Sequence, residues 1–249
     1  MKHFKNFKTC VYCTAQTLAS LDETTLARDY AYLEKYVGID KVYLETYRDG
    51  TWVSIDHMKM IQNFFKEHGV EIAGGITTVT PPLEKDDVKR QRLFQTFCYS
   101  NEAMRTYLKK IVTYTAELFN EIILDDFFFT SCTCDDCLRE RSNLSWAEFR
   151  SKKMIDVAEN LVLKPAKLAN PSVKVTIKYP NWRESYHETG YVPKIQPSMF
   201  DKIYTGTETR NTAHTDQHLP RYLSYSIMRY MEHVAPGRNG GGWFDTYSC

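Results

Sequence analysis

Glu121-Ile122-Ile123-Leu124-Asp125-Asp126-Phe127-Phe128-Phe129 is an apolar run interrupted by two adjacent aspartates. A short apolar run of this kind reads as a strand buried on both faces, as in parallel sheets covered by helices. Two ionised carboxylates at its end must face a cleft, a partner or a metal, because burying them bare costs too much. In an α/β barrel, that is where strands end and the chemistry-bearing βα loops begin.

Working outward from this strand, strand-like and helical patterns alternate along the whole chain, which is the α/β signature. Strands are predicted at 9–17, 41–47, 70–79, 121–129, 173–179, 202–208 and 242–247. Helices are predicted at 26–36, 55–68, 86–119, 146–163 and 222–234. Gly69 supplies a C-terminal cap for the second helix. Ser145 with Glu148 forms a capping box for the fourth. Pro81-Pro82 and Pro180 close strands three and five, since proline cannot continue a central strand.

The pattern predicts a (β/α)8 TIM-type barrel over residues 1–249, incomplete at its C-terminal end, because it shows seven strands instead of eight. One strand escapes the pattern, or the barrel lacks it, or the chain was cut from a longer protein. A doubly wound open sheet is the second fold, but no Gly-rich phosphate fingerprint follows the first strand. Gly237-Arg238-Asn239-Gly240-Gly241-Gly242 reads as a place of close backbone approach or a tight turn, not a nucleotide loop.

The 249 residues suffice for one barrel of roughly 250. A net charge of +1 argues against a broad nucleic-acid or membrane surface. Lys109-Lys110 and Lys152-Lys153 read as solvated helix faces. No run approaches the ~20 apolar residues of a membrane helix. No signal peptide is visible, so a cytoplasmic site is expected; a secreted protein with its leader removed would look the same.

The strand ends carry Glu45, Asp125, Asp126, Glu208 and Asp245, with Lys178 among them. Paired carboxyls flanking a scissile bond are what glycoside hydrolysis needs: one attacks or activates water, and the other protonates the leaving oxygen. Asp125 or Asp126 is the candidate nucleophile, with Glu208 across the mouth as acid/base. Lys178 and Arg210 would keep neighbouring carboxylates ionised. Tyr179, Trp182, Trp243 and Tyr247 would form aromatic walls. Glu45 and Asp245 read as substrate-binding or loop-bracing, and His214, Asp216 and His218 as loop contacts to substrate.

Cys132, Cys134 and Cys137 crowd one loop after the fourth strand, and Cys10 and Cys13 pair near the first. Closely spaced thiolates suit tetrahedral Zn²⁺, with a fourth ligand from elsewhere. Disulfides or free thiols are the alternatives, and Cys98 reads as core inside a helix. No cofactor is expected to be required for catalysis.

These motifs carry a resemblance. The 121–129 run resembles the fourth-strand motif of barrel glycosidases, in which a Leu-Asp-Asp strand end is followed by aromatics. The Cys132–Cys137 loop and the following Ser145-Trp146-Ala147-Glu148-Phe149-Arg150 are similar to loops of bacterial glycoside-hydrolase-like (β/α)8 barrels. Key acids on strands four and six resemble the α-galactosidase-type clan of retaining enzymes. That resemblance implies a carbohydrate substrate, with Asp125 or Asp126 at the nucleophile position and Glu208 at the acid/base position. Two other functions compete: a metal-dependent sugar isomerase or epimerase, with Glu45, Asp126, Glu208 and Asp245 around one cation, and a non-catalytic carbohydrate-binding barrel.

Overall fold

The computed structural model describes residues 4–80, 92–207 and 222–244. The strands are β1 Cys10–Cys13, β2 Lys41–Arg48, β3 Thr51–Trp52, β4 Glu71–Ile76, β5 Glu121–Leu124, β6 Lys174–Tyr179, β7 Lys202–Gly206 and β8 Asn239–Trp243. Seven of them run parallel in the order β1-β2-β4-β5-β6-β7-β8, and the two-residue β3 pairs antiparallel with β2. The seven predicted strands are these seven. The first and last are ends of the ladder among the described residues, yet the rings of Tyr12 on β1 and Trp243 on β8 lie 5.1 Å apart. The sheet is therefore curled into an incomplete barrel.

Helices α1 Ala15–Ser20, α2 Glu23–Tyr36, α3 Ile55–Glu67, α4 Glu102–Leu118, α5 Asp135–Arg141, α6 Trp146–Val157, α7 Lys164–Ala169, α8 Tyr186–Thr189, α9 Gln196–Met199 and α10 Leu223–Val234 fill the connections. Gly69 has φ +72°, as expected of a helix-ending glycine. The Ser145/Glu148 capping box is present on α6. No helix among the described residues is long and apolar enough to cross a membrane.

Several predicted boundaries move. The first strand stops at Cys13, because Thr14 caps a helix that begins at Ala15. The 121–129 strand pairs only through Leu124, since the chain turns at the aspartates. In the described part of the predicted 86–119 helix, from residue 92, a 3₁₀ turn at Leu93–Gln95 comes first and the α-helix starts at Glu102, capped by Asn101. The 146–163 helix passes into a π-helical stretch at Ala158–Leu163. The last strand begins earlier than predicted, at Asn239, and the predicted residues 245–247 lie outside the described ones. Helix α5, in the cysteine loop, has no counterpart in the predicted pattern. Lys153 is buried and pairs with Glu140, so it does not belong to a solvated face.

Strand alternation sorts side chains into two layers. Tyr12, Tyr43, Ala73, Ile123, Tyr204 and Trp243 pack together inside the curl. The larger core, with Leu44, Ile122, Leu124, Val175, Ile177 and Tyr179, faces the helices. Gly240 carries no side chain where a Cβ would lie 2.9 Å from the Tyr204 ring, which explains the glycine-rich entry to β8 by close approach.

Candidate active site

The carboxylates meet above the inner layer, at the C-terminal ends of β2, β4, β5 and β6. Glu45 and Lys178 point inward because they stand in step with Tyr43 and Thr176 on their strands. Gly75 keeps the space between them open: a Cβ there would meet the Tyr12 hydroxyl at 2.7 Å. Through that gap Tyr12 donates to Glu45 at 2.6 Å.

Glu45 is fully buried. It also accepts from the Ala15 amide at 2.7 Å, from Arg48 Nε at 2.8 Å and from the Thr77 hydroxyl. Burial pushes its carboxyl up, opposed by Arg48 and by these hydrogen bonds. The Ala15 amide opens α1, so the helix end also favours the anion. With four donors on two oxygens, Glu45 is a hub beneath the mouth rather than a residue that touches substrate.

Arg48 links this hub to the aspartates, because its Nη2 donates to Asp125 Oδ2 at 2.8 Å. Asp125 Oδ2 also lies 3.3 Å from the Thr77 hydroxyl oxygen, whose one proton goes to Glu45, and Oδ1 takes the Asp126 amide at 2.9 Å and Lys178 Nζ at 3.3 Å. Oδ1 of Asp125 is thus doubly occupied, and Oδ2 is held by Arg48. Burial raises its carboxyl, but Lys178, Arg48 and the Asp126 amide outweigh burial and hold it below the usual carboxylate range. Asp126 Oδ2 lies 3.1 Å from Lys178 Nζ, and its side chain is 13% exposed against 7% for Asp125. Lys178 itself sits 4.3 Å over the Trp243 ring.

The pH behaviour of this network has a definite sign. Asp125 binds its proton more weakly in the folded chain than in the unfolded one. Its contribution to stability is full above the unfolded value, about pH 4, and is lost as pH falls toward the folded value. Glu45, raised by burial, contributes oppositely: its share is present below the unfolded value and is lost as pH rises through the folded one. Asp125→Asn removes the carboxylate that Arg48 and Lys178 share, while Glu45 and Asp126 still pair with them, a loss of about 1–3 kcal/mol. The expected fall in melting temperature is about 5 °C near neutrality. The gap from wild type should narrow below pH 4, and a gap independent of pH would contradict the ion-pair account.

Of the residues singled out in the sequence, Glu45, Asp125, Asp126, Lys178 and Trp243 lie together in the structure. Trp182 stands farther along the rim, its ring 5.5 Å from Phe129. Tyr179 is a correction. Because Lys178 points inward, its neighbour must point outward, and Tyr179 is buried against Tyr186 and Tyr191 in the helix-facing core. Glu208, Arg210, His214, Asp216, His218, Asp245 and Tyr247 lie outside the described residues. Arg48 and Thr77 were not predicted. Arg48 does have a local signal: it precedes Asp49-Gly50, a two-residue hairpin pair with φ +50° and +83° that turns β2 into β3.

A second cluster stands behind the site. The thiols of Cys98, Cys132, Cys134 and Cys137 all lie within 4.8 Å of one another and could hold a metal ion. Cys98 Sγ is 3.7 Å from the Sγ atoms of both Cys134 and Cys137. Four thiolates about 2.3 Å from a tetrahedral Zn²⁺ would be about 3.8 Å apart, so the spacing fits. Cys98 precedes α4 and is not inside the predicted helix, though it is buried as expected. All four are free thiols, as are Cys10 and Cys13, which stand apart on β1.

A family model described as "Probable glycosyl hydrolase, catalytic domain" matches residues 1–249. The chain belongs to this glycosyl hydrolase family. It is similar to an uncharacterized protein of Saccharolobus solfataricus, at 32% identity over 267 residues that cover 98% of this chain and 43% of the relative. The chain thus spans less than half the length of that relative. The fold resembles a β-galactosidase from Rahnella sp. R3, with a TM-score of 0.64 and 12% identity over 94% of this chain and 44% of that one. It also resembles a β-D-glucuronidase of Dictyoglomus thermophilum, with a TM-score of 0.51 and 11% identity over 96% of this chain and 35% of that one. At such identities these likenesses bear on the fold alone, and they agree with the barrel expected from the alternating strands and helices of this glycosyl hydrolase domain.

Proposed function

We propose that this glycosyl hydrolase domain cleaves a glycosidic bond with retention, using Asp126 as nucleophile and Glu208 as acid/base. The observation that carries the reading is the division of labour in the aspartate pair. Asp125 is fixed by Arg48, Lys178 and the Asp126 amide, whereas Asp126 is the more exposed of the two and is charge-supported by Lys178. Glu208 lies two residues beyond the end of β7, the sixth parallel strand, while Asp126 follows β5, the fourth.

In the first step an Asp126 oxygen bonds to the anomeric carbon as the glycosidic C–O bond breaks, and Glu208 gives its proton to the departing oxygen. In the second, Glu208 takes a proton from water, the water oxygen bonds to the anomeric carbon, and the Asp126 ester bond breaks. The described side chains here comprise three carboxylates (Glu45, Asp125, Asp126) against two cations (Arg48, Lys178). A net negative site favours the positive charge that develops on the sugar ring. Arg48 is a positioning residue, orienting Asp125 so that Asp125 holds Lys178 beside Asp126. Trp243 and Trp182 offer aromatic surface to the sugar.

The isomerase reading loses ground because the cations Arg48 and Lys178 stand between the carboxylates, and Glu45 has no coordination capacity left. The test is hydrolysis of a panel of aryl glycosides, with NMR identifying the anomer released first. Release of the inverted anomer would overturn the retaining mechanism, and no turnover of any member would overturn the hydrolase reading.

We also propose that the four thiols hold a structural zinc. A closed set of four thiolates leaves no open position for chemistry, so such an ion would brace the loop after β5 and take no part in bond cleavage.

A further inference from the structure

We propose that Phe94, backed by Phe127 and Phe129, is a stacking platform for a sugar ring at the rim of the site; this rests on the glycoside-hydrolase reading. Phe94 lies in the connection after β4, on the mouth side of the sheet, and remains 59% exposed. Its ring meets Phe127 edge-on at 5.4 Å and Phe129 at 6.5 Å. Phe127 immediately follows Asp126 and lies 5.6 Å from the Arg48 guanidinium, so the platform is joined directly to the carboxylate network. Phe129 in turn touches Trp182, which extends the aromatic surface along the rim.

The backbone supports a purpose for this exposure. Phe94 and Gln95 both have positive φ, at +51° and +53°, a conformation that non-glycine residues adopt at a cost of about 1–3 kcal/mol each. The turn is nonetheless tied down on both sides. The Thr80 amide donates to the Gln95 carbonyl at 2.9 Å, the Leu93 amide donates to Ser131 Oγ at 2.7 Å, and the Phe97 amide donates to the Thr78 carbonyl at 3.1 Å. A turn held this firmly in a strained shape would bury its aromatic ring if packing were the aim. Here it presents the ring to solvent against Phe127, the residue that follows Asp126. The C–H face of a pyranose is the apolar surface such a ring accepts, while the hydroxyls around its edge stay hydrated.

Phe94→Gly is the variant of choice, because glycine adopts φ +51° without strain and the turn is preserved. Lactose, cellobiose and maltose, followed by saturation-transfer NMR, report binding whether or not they are cleaved; aryl mono- and diglycosides report turnover. Phe94→Gly is expected to weaken disaccharide binding, and to raise KM for the aryl diglycoside, about tenfold, with kcat on the aryl monoglycoside unchanged. Phe94→Trp should restore binding. Wild-type affinity and KM in Phe94→Gly would overturn the platform while leaving hydrolysis standing. Binding that depends on Phe94 without any turnover would do the reverse. A wild-type protein that binds none of the three sugars would overturn the platform as well.

Discussion

Asp126→Ala is expected to lower kcat on an activated aryl glycoside by about 10⁴-fold, the scale seen when a group that acts directly in the reaction is removed. The substitution spares the Glu45–Arg48–Asp125 connection and Lys178's contact with Asp125. The melting temperature should therefore stay within a few degrees of wild type. That separates it from Asp125→Asn, whose main effect is on stability and on its pH dependence. A small external nucleophile such as azide should restore part of the Asp126→Ala rate by taking the vacated position, yielding a glycosyl azide of inverted configuration. Wild-type kcat in Asp126→Ala would end the assignment of the nucleophile. A loss of rate accompanied by a collapsed melting temperature would instead place Asp126 with Asp125 in the structural network.

Cys98→Ser is expected to have the largest effect on stability. Cys98 joins the segment before α4 to the loop after β5, and in a tetrathiolate zinc site one lost ligand loosens that closure. Structural zinc supplies folding free energy outright. A loss of about 4 kcal/mol would lower the melting temperature by roughly 8–16 °C in a chain of this size. Purified wild-type protein should carry one zinc per chain by elemental analysis, and a strong chelator should reproduce the fall seen in Cys98→Ser. Protein that binds no zinc, with a melting temperature indifferent to chelator, would show the cluster to be four buried thiols. The consequence reaches the rim, because Ser131, next to Cys132, receives the Leu93 amide beneath Phe94 and its carbonyl accepts from Arg150 at 3.1 Å.

Local pattern made much of this protein legible. Apolar runs such as Ile122–Leu124 and Val175–Ile177 can only be strands buried on both faces, and helical periodicity between them implies parallel crossovers. Carboxylates and a lysine at the ends of those runs mark the mouth for the same reason, since they have no other place to be solvated. Asp125, Asp126 and Lys178 followed from this, as did three of the four thiols. Period-two alternation was also enough to exclude Tyr179 once Lys178 was placed inward.

The sequence by itself determined the parallel strand–helix architecture and the acidic strand ends, because both depend on contacts and solvation within a few residues. Only the tertiary structure decided which charges meet. Arg48 reaches Asp125 across 77 positions, Thr77 touches both Glu45 and Asp125, and Cys98 joins thiols 34 to 39 positions later. Those partnerships depend on strand register and on the curl that sets β2, β4, β5 and β6 side by side. Neither residue type nor spacing encodes that geometry.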